Sequence, residues 1–326
     1  MDNQLNWGLL STANINRALI DPLRASKRTR LLAVASRSLS SAEAYAREWD
    51  IPRTHGSYDD LLTDPDIDVI YNPLPNNMHA EWTIKALRAG KHVLCEKPLA
   101  LSLEEVDAMV AAAQETGKIL TEAFMYRHHP QTLKVKELVD SGALGKIQLI
   151  KGAFTFTLTR AGNYRQIKEM GGGSLWDVGC YPISYARTIV GEEPVEVFGW
   201  QVEGPGGSDD AFFGQMRFDN GVHAQFDSGF TSPYRSHIEI VGTEAVLNIP
   251  QAFKPGLKTE LYLKRGDEIE TLNIEGQELY IGEVDDMCDA VLNGAPPRIS
   301  LADSRANTAV ILALLESAQT GKTMAI

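Results

Sequence analysis

The feature that most constrains the fold is a regular alternation of two hydrophobic patterns along the first third of the chain. Short apolar runs, typical of buried β-strands, alternate with amphipathic stretches such as NMHAEWTIKALRAG and SLEEVDAMVAAAQETG, which have helical periodicity. The runs lie at residues 5–10, 31–35, 68–71, 92–95 and 119–123. Because the connections between these elements are short, we predict βαβ units and a doubly wound parallel sheet over residues 1–123.

The rest of the chain has a different pattern. Stretches such as GKIQLIKGAFTFTL and HIEIVGTEAVLNI are typical of strands, and hairpin signals follow at Asn220-Gly221, Gly242-Thr243 and Gly266-Asp267. Two helices are predicted, over residues 174–190 and 300–321. We therefore expect an α+β domain with a large, mostly antiparallel open sheet over residues 124–326, and one face of such a sheet needs a cover of helices, substrate or a second subunit. A chain of 326 residues also exceeds the ~250 to 300 at which one core stops growing.

Composition excludes several classes of partner. The formal net charge of -12 disfavours a nucleic-acid surface or an anionic membrane, because both need clustered Lys and Arg. No apolar run reaches the ~18 residues of a membrane span, and no signal peptide is recognisable. Cys95, Cys180 and Cys288 form no C-x-x-C motif, so neither a disulfide framework nor a thiolate zinc site is indicated. We expect a soluble cytoplasmic protein.

A lysine follows the fifth apolar run, in LCEKPLAL. Pro98 disfavours helical geometry at Lys97, so the direction of that lysine is fixed at the end of a strand. One interpretation is a charged strand end that points into water. The other is a functional lysine, because ligands of doubly wound sheets bind at the carboxyl ends of the strands.

The turn after the first strand, GLLSTANIN, is a degraded nucleotide-binding fingerprint. Ser11, Ala13 and Asn16 stand where G-x-G-x-x-G has its glycines, and Gly8 lies just before them. Small side chains at Ser11 and Ala13 still allow a pyrophosphate to approach the backbone near a helix N-terminus. The turn alone leaves nucleotide binding open.

The second strand ends in Ser36-Arg37 and carries no carboxylate at its end. A dinucleotide fold that prefers NAD usually has an acidic residue near this point, whereas an arginine accommodates the 2′-phosphate of NADP. An exposed arginine that opens a loop is the alternative.

Several segments together resemble one family. They are WGLLSTANIN, AVASRS, YNPLPNNMHAEWTIKALRAGKHVLCEKPLAL, EAFMYRHHPQ and MGGGSLWDVGCYPISYARTIVGEEP. In content and order they are similar to the Gfo/Idh/MocA oxidoreductases, and to the NADP-linked branch with glucose-fructose oxidoreductase, D-xylose 1-dehydrogenase and dimeric dihydrodiol dehydrogenase. The resemblance covers nearly the whole chain. It implies a Rossmann domain, a sheet domain and an active site in the cleft between them.

The resemblance also implies catalytic roles. Lys97 would point at the substrate hydroxyl beside C4 of the nicotinamide, and burial or a nearby cation would lower its pKa toward that of a useful base. Asp177 and Tyr181 are four residues apart and would share a helix face. Tyr181 is the candidate proton donor or acceptor, and Asp177 would orient the substrate or the lysine. A capped, half-buried helix start is the alternative for this pair.

Further site residues are expected by resemblance. The predicted cofactor-binding residues are Gly8, Ser11, Thr12, Ala13, Asn14, Ile15, Ser36, Arg37, Pro73, Leu74, Asn76, His79, Glu96, Lys97 and Trp176. The predicted substrate-binding residues are Arg127, Arg165, Asp177, Tyr181 and Tyr280. No metal site is expected, because the adjacent His128 and His129 lack a third ligand at suitable spacing.

The expected activity is hydride transfer between a sugar or cyclic diol carbon and NADP, with NADP preferred over NAD. Our first substrate class is an aldose oxidised at C1, as in a D-xylose dehydrogenase. A trans-dihydrodiol dehydrogenase and a keto-sugar reductase are the alternatives within enzymes. A non-catalytic NAD(P) sensor is the alternative class, and the presence of Lys97, Asp177 and Tyr181 together favours the enzyme. The expected partner is a polyhydroxylated small molecule, and the expected assembly is a homodimer or homotetramer through the C-terminal sheet.

Overall fold

Two β-sheets organise the chain in the computed structural model, which describes residues 4–160 and 162–326. The first sheet has the strand order β3-β2-β1-β4-β5-β6, and all of its neighbouring strands are parallel. Its strands are β1 (Leu5–Leu10), β2 (Thr29–Ala35), β3 (Arg53–His55), β4 (Val69–Asn72), β5 (His92–Glu96) and β6 (Leu120–Ala123). This order is the doubly wound arrangement expected of a dinucleotide-binding sheet, so the predicted parallel sheet is confirmed.

Helices alternate with these strands. They are α1 (Asn16–Ala25), α2 (Leu39–Trp49), α3 (Tyr58–Thr63), α4 (His79–Arg88) and α5 (Leu103–Thr116). The last of them begins with a variant of the capping box: Ser102 Oγ accepts from the Glu105 amide at 3.1 Å, and the Glu105 carboxylate accepts at 2.9 Å from the amide of Leu101, the residue before the N-cap. It ends at Gly117, whose φ of +65° is the left-handed conformation that glycine adopts easily.

Strand β3 and helix α3 were not predicted from the sequence. β3 has three residues and α3 has six, so neither is long enough to show hydrophobic periodicity. Both are fixed by polar contacts, because Asp64 accepts from Arg53 at 3.0 Å and lies 3.2 Å from His55 Nε2. Such contacts join residues outside a periodic pattern and are not visible in the sequence.

The second sheet has nine strands and is mostly antiparallel, which confirms the predicted large antiparallel sheet. Its order is β14-β13-β12-β11-β7-β10-β9-β8-β15, and only the β7–β10 pair among these described strands is parallel. The strands are β7 (Ile147–Thr157), β8 (Pro194–Glu203), β9 (Asp209–Phe218), β10 (His223–Gly229), β11 (Thr231–Gly242), β12 (Val246–Ile249), β13 (Lys258–Arg265), β14 (Glu268–Glu275) and β15 (Met324–Ala325).

Four further helices accompany the second half of the chain: α6 (Pro130–Asp140), α7 (Cys180–Val190), α8 (Ile281–Asn293) and α9 (Leu301–Thr320). Helix α6 was not predicted, although it has Pro130 at its first position and His129 as N-cap. Helix α7 was expected to begin at residue 174. Instead, a π-helical turn at Leu175–Gly179 precedes it. Pro182 has no N–H, so one backbone hydrogen bond to the preceding turn is missing. This missing bond lies where the π-helical turn meets α7.

The chain divides into two compact units. One contains the chain up to Met125 together with Tyr280–Arg305, and the other contains Tyr126–Leu279 and Ala306–Ile326. Helix α8 belongs to the first unit because Val284, Met287 and Cys288 are fully buried in the core of the parallel sheet. Residues 280–305 were expected in the second domain, and the apolar face of α8 explains why this helix packs in the first unit instead. No helix in the described ranges is both long and apolar enough to cross a membrane.

Candidate functional site

The turn after β1 keeps the geometry of a glycine-rich turn without its glycines. Ser11 has a φ of +142°, which is a backbone conformation that glycine adopts more easily than serine. Two hydrogen bonds hold it there: the Asn16 side-chain amide donates to the Ser11 carbonyl at 2.7 Å, and the Ala13 amide donates to Ser11 Oγ at 3.2 Å. The residues that replace the glycines therefore stabilise the turn.

This turn fits a dinucleotide pyrophosphate. It lies where the strand order reverses between β1 and β4, and Thr12, Asn14 and Ile15 complete it before α1. No side chain caps the N-terminus of α1, and an uncapped helix N-terminus suits an anion. Gly8 lies earlier, within β1, where an added Cβ would meet Leu61 at 3.0 Å. Packing explains this glycine, and its contact with a cofactor stays a prediction.

The end of β2 presents the predicted phosphate-binding residues. Ser36 is mostly buried, and its amide donates to the His55 carbonyl at 3.1 Å. Arg37 follows on the surface, before the N-cap Ser38 of α2. A fixed serine and an exposed arginine at this edge suit a ribose phosphate, and their contact with a cofactor stays a prediction.

The loop after β4 is tied to the lysine segment by His79. Pro73, Leu74 and Asn76 are buried in this loop, and His79 is fully buried at the start of α4. Its Nε2 lies 2.7 Å from the Leu74 carbonyl and its Nδ1 lies 2.8 Å from the Pro98 carbonyl. Burial lowers the pKa of His79 to about 4, so the neutral ring donates to one of these carbonyls at a time. His79 therefore supports the two segments from inside the protein.

The main chain on both sides of Lys97 is held by buried polar groups. Tyr71 donates to Glu96 Oε1 at 2.5 Å, and Glu96 Oε2 accepts from the Lys97 amide at 3.3 Å. Beyond the cis Lys97–Pro98 peptide bond, the Leu99 amide donates to Glu122 Oε1 at 2.8 Å. Lys97 itself is half-buried at the carboxyl end of β5. The segment is therefore fixed, unlike a lysine on a freely moving strand end.

Two of these supporting residues were not predicted. Tyr71 is fully buried in β4 and Glu122 is 2% exposed in β6. The available signal was a carboxylate within an apolar strand, because an acidic side chain is almost never fully buried without a partner.

In the second unit, Asp177 and Arg165 form an ion pair. Arg165 Nε donates to Asp177 Oδ2 at 2.7 Å. Burial alone would lower the pKa of Arg165, but the charge of Asp177 raises it above its ordinary value. Two residues that were predicted separately, as a substrate-binding arginine and a catalytic carboxylate, are thus in direct contact. Trp176, beside Asp177, is buried.

Tyr181 is held by an aromatic cluster. Its ring centroid lies 5.1 Å from that of Phe154, 5.6 Å from that of Phe253 and 5.8 Å from that of Tyr126. The first contact is edge-to-face and the other two are tilted, which are favourable geometries for aromatic pairs. Tyr181 is 5% exposed, so these rings fix its orientation.

The other predicted residues lie in both units. Arg127 donates to Ser184 Oγ at 3.3 Å, one helical turn from Tyr181 on α7. Tyr280 is half-buried at the N-terminus of α8, in the first unit. The structure thus groups Asp177, Tyr181 and Arg165 in the second unit, and it places Lys97 at the sheet edge of the first unit.

One of the paired histidines, His129, has a structural role in the second unit. His129 caps α6, because its Nδ1 accepts from the Gln131 amide at 3.1 Å, and burial lowers its pKa. Within residues 4–160 and 162–326, no three His, Cys, Asp or Glu side chains form a group that could hold a metal ion.

Comparison with known proteins agrees with this architecture. The oxidoreductase family with an NAD-binding Rossmann fold matches residues 5–124, and the GFO/IDH/MocA C-terminal domain matches residues 132–248. The chain is 35% identical to D-xylose 1-dehydrogenase (NADP(+)) 2 of Haloferax volcanii, over 97% of this chain and 98% of that protein.

Two solved structures are also similar. Aldose-aldose oxidoreductase from Caulobacter crescentus, complexed with glycerol, has a TM-score of 0.92 and 26% identity, covering 99% of this chain and 100% of that one. A 3-ketoreductase from Actinomadura kijaniata, in complex with NADP and TDP-benzene, has a TM-score of 0.92 and 30% identity, covering 97% and 98%. The parallel sheet, the second sheet and both family matches lead to one conclusion: the chain belongs to the Gfo/Idh/MocA family of oxidoreductases.

Proposed function

We propose that this protein is an NADP(H)-dependent oxidoreductase that transfers hydride between a hydroxyl-bearing carbon of a sugar and the nicotinamide. The observation that carries the proposal is the fixed segment around Lys97. Buried His79 and Glu122 bond to the main chain just after it, and buried Tyr71 donates to the side chain of Glu96 just before it. This segment lies at the sheet edge where parallel α/β proteins bind ligands. A solvated lysine at a strand end would not need this support.

NADP is the proposed cofactor. A bound nicotinamide cofactor supplies the hydride acceptor or donor of the reaction. Ser36 and the exposed Arg37 at the end of β2 are suited to a 2′-phosphate. The Haloferax volcanii relative is named for NADP(+), and the Actinomadura kijaniata reductase is described with NADP, which supports the same choice here.

The protein's own groups would handle the proton. When an alcohol carbon loses hydride, its hydroxyl oxygen must lose a proton. Tyr181 is the proposed proton acceptor, and Lys97 is the second proposed catalytic group. Asp177 is held by Arg165 at 2.7 Å and is therefore better suited to orient a substrate hydroxyl than to act as a mobile base.

An aldose oxidised at C1 is the proposed substrate class, because the relatives that match over nearly the whole chain include a D-xylose dehydrogenase. A keto-sugar reductase, which would run hydride transfer in the opposite direction, is the second candidate and is supported by the similarity to the 3-ketoreductase. We assign cofactor binding to residues 1–123, with α8 as an added element. Substrate binding and oligomerisation are assigned to residues 124–326, and the proposed assembly is a homodimer or homotetramer.

The test is a screen for NADP reduction over pentoses, hexoses, inositols and arene dihydrodiols, with Lys97→Met and Tyr181→Phe beside the wild type. We expect NADPH with an aldose, and turnover lower by about 10²-fold or more in both variants, as for loss of a general acid–base group. Lys85→Met is the matched control, because Lys85 pairs with Glu81 on the surface of α4. Wild-type turnover in either site variant would refute the role of that residue. If no substrate supports NADP reduction and no keto-sugar supports NADPH oxidation, the alternative of a non-catalytic NAD(P) sensor is favoured.

A further inference from the structure

A buried carboxylate lies against the first turn of the helical segment that carries Asp177 and Tyr181. Asp209, the first residue of β9, is 3% exposed. Its Oδ2 accepts from the Ser174 hydroxyl at 2.6 Å and from the Leu175 amide at 2.8 Å. The carboxylate therefore satisfies the first donors of the segment and places a negative charge at its N-terminus, where the helix dipole favours one.

The same carboxylate explains a glycine of the GGG motif. Gly173 has a φ of +127°, and a Cβ added there would lie 2.2 Å from Asp209 Oδ1. Its amide donates to the Arg165 carbonyl at 2.7 Å. Gly173 thus connects two neighbours, the carboxylate that holds the segment and the loop whose arginine pairs with Asp177.

A third element completes the arrangement. The hydroxyl of Ser174 lies 3.0 Å from that of Ser228 on β10. Burial raises the pKa of Asp209 to about 6, while its hydrogen bonds to Ser174 and Leu175 lower it. The hydrogen bonds from Ser174 and Leu175 therefore offset part of the cost of burying the carboxylate, and without them its burial would be costly.

We propose that Asp209 is a positioning residue that fixes the start of the helical segment and thereby the placement of Asp177 and Tyr181. The inference rests on the proposed function, because these two residues are assigned there to substrate orientation and proton transfer. Leu175 lies two positions before Asp177, so a shift of its amide moves that carboxylate directly. A misplacement of about 1 Å can lower turnover by about 10²-fold.

The test compares Asp209→Ala and Asp209→Asn with Asp210→Asn. Asp210 is the next residue and has the same charge, but its carboxylate packs beside Gly204 instead of the helical segment. We expect Asp209→Ala to lower kcat about 10- to 100-fold while the Kd of NADP changes by less than about twofold. Asp209→Asn should be milder, because its amide oxygen can still accept from Leu175, and Asp210→Asn should match the wild type.

Hydrogen–deuterium exchange of residues 172–181 gives a readout that does not need turnover. It should accelerate in Asp209→Ala and stay unchanged in Asp210→Asn and Tyr181→Phe. If Asp209→Ala does not fold, the exchange rates and kcat of Asp209→Asn and Ser174→Ala are compared with those of the wild type instead. Their expected effects are in the same direction and smaller. Unchanged exchange would overturn the proposal, and so would faster exchange with wild-type kcat in an active enzyme. If none of the tested substrates supports NADP reduction by the wild type, the proposed function fails. The exchange result still decides whether Asp209 anchors the helical segment.

Discussion

At the scale of single residues, Arg37 should determine the choice of cofactor. If its guanidinium pairs with the 2′-phosphate, NADP should bind more tightly than NAD by ~1.5 to 3 kcal/mol, the value of a hydrogen bond to a charged group. This corresponds to a ratio of dissociation constants of roughly 10 to 150. Arg37→Asp should reverse the preference, mainly by weakening NADP binding, because the new carboxylate repels the phosphate and can accept from ribose hydroxyls.

Titration of both cofactors into both proteins measures this preference. Arg47→Asp is the control, because it makes the same charge change on the exposed side of α2. Added salt should weaken NADP binding more in the wild type than in Arg37→Asp, since the pair is exposed. Equal affinities of the wild type for NAD and NADP would show that Arg37 is only a surface residue.

Asp209 should make the stability of the protein depend on pH in an unusual direction. Burial raises its pKa from 3.8 to about 6, so the folded state binds the proton more tightly than the unfolded state. Its contribution to stability is present below pH ~4 and is lost as the pH rises through ~6, by up to ~3 kcal/mol at 1.36 kcal/mol per pKa unit.

Asp209→Asn has no such titration. The stability of Asp209→Asn relative to the wild type should therefore be higher at pH 7.5 than at pH 4, by up to ~3 kcal/mol in the free energy of unfolding. Urea unfolding at the two pH values measures the difference. If the stability difference between Asp209→Asn and the wild type is the same at both pH values, the raised pKa of Asp209 is wrong. A variant that is more destabilised at pH 7.5 than at pH 4 would contradict it as well.

At the scale of elements, the start of the Leu175–Val190 helical segment depends on the close approach of Asp209 to Gly173. Gly173→Ala should destabilise the protein for two reasons: a positive φ that costs of order 1–3 kcal/mol, and a Cβ contact that adds ~1–3 kcal/mol of overpacking. Gly191→Ala is the control, because Gly191 also has a positive φ but an added Cβ would meet nothing within 4 Å. Thermal unfolding of both variants should show the larger loss for Gly173→Ala, and equal losses would show that the contact relaxes freely.

How much of the fold could be predicted differs between elements. The long apolar strands and α5 were predictable, because their apolar periodicity and the Ser102–Glu105 capping box are local signals. The short β3 and α3 were not, because a few residues show no period and distant polar contacts fix them. The apolar face of α8 was visible in the sequence. The core that it joins was not, since sequence patterns do not show which of two cores a helix packs against.

The candidate site was predictable to a similar degree. Lys97, Asp177 and Tyr181 stand in motifs that can be recognised in the sequence alone. The groups that hold them in place were missed, because Glu122 bonds to a residue 23 positions away and Asp209 to one 34 positions away. Local spacing predicts residues on one face of a helix, but partners across a fold appear only when the chain is folded.

At the scale of the whole molecule, the second sheet presents a face that we expect to join two subunits. Phe212, Met216 and Phe218 on β9 are buried, whereas Phe213 on the same strand is exposed. Trp200, which pairs with Phe213 across β8 and β9, is 56% exposed. Large exposed aromatic side chains that neighbour each other are typical of interaction surfaces.

Sedimentation at micromolar concentration should therefore give a species larger than the 35.8 kDa monomer. Trp200→Glu together with Phe213→Glu should shift it toward the monomer, because two charges would be buried in the interface. Leu133→Glu is the control, because Leu133 is an exposed apolar residue on α6. A wild-type protein that sediments only as a monomer would rule out this assembly.

The proposed function requires direct hydride transfer between a sugar carbon and NADP, and an isotope-transfer experiment measures this step. The best substrate from the NADP-reduction screen is prepared with deuterium at the carbon to be oxidised, and the reduced cofactor is analysed by mass spectrometry and NMR. We expect one deuterium at C4 of the nicotinamide for each product molecule formed, and a much slower transfer in Lys97→Met. Reduced cofactor without deuterium, or undiminished transfer in that variant, would contradict it.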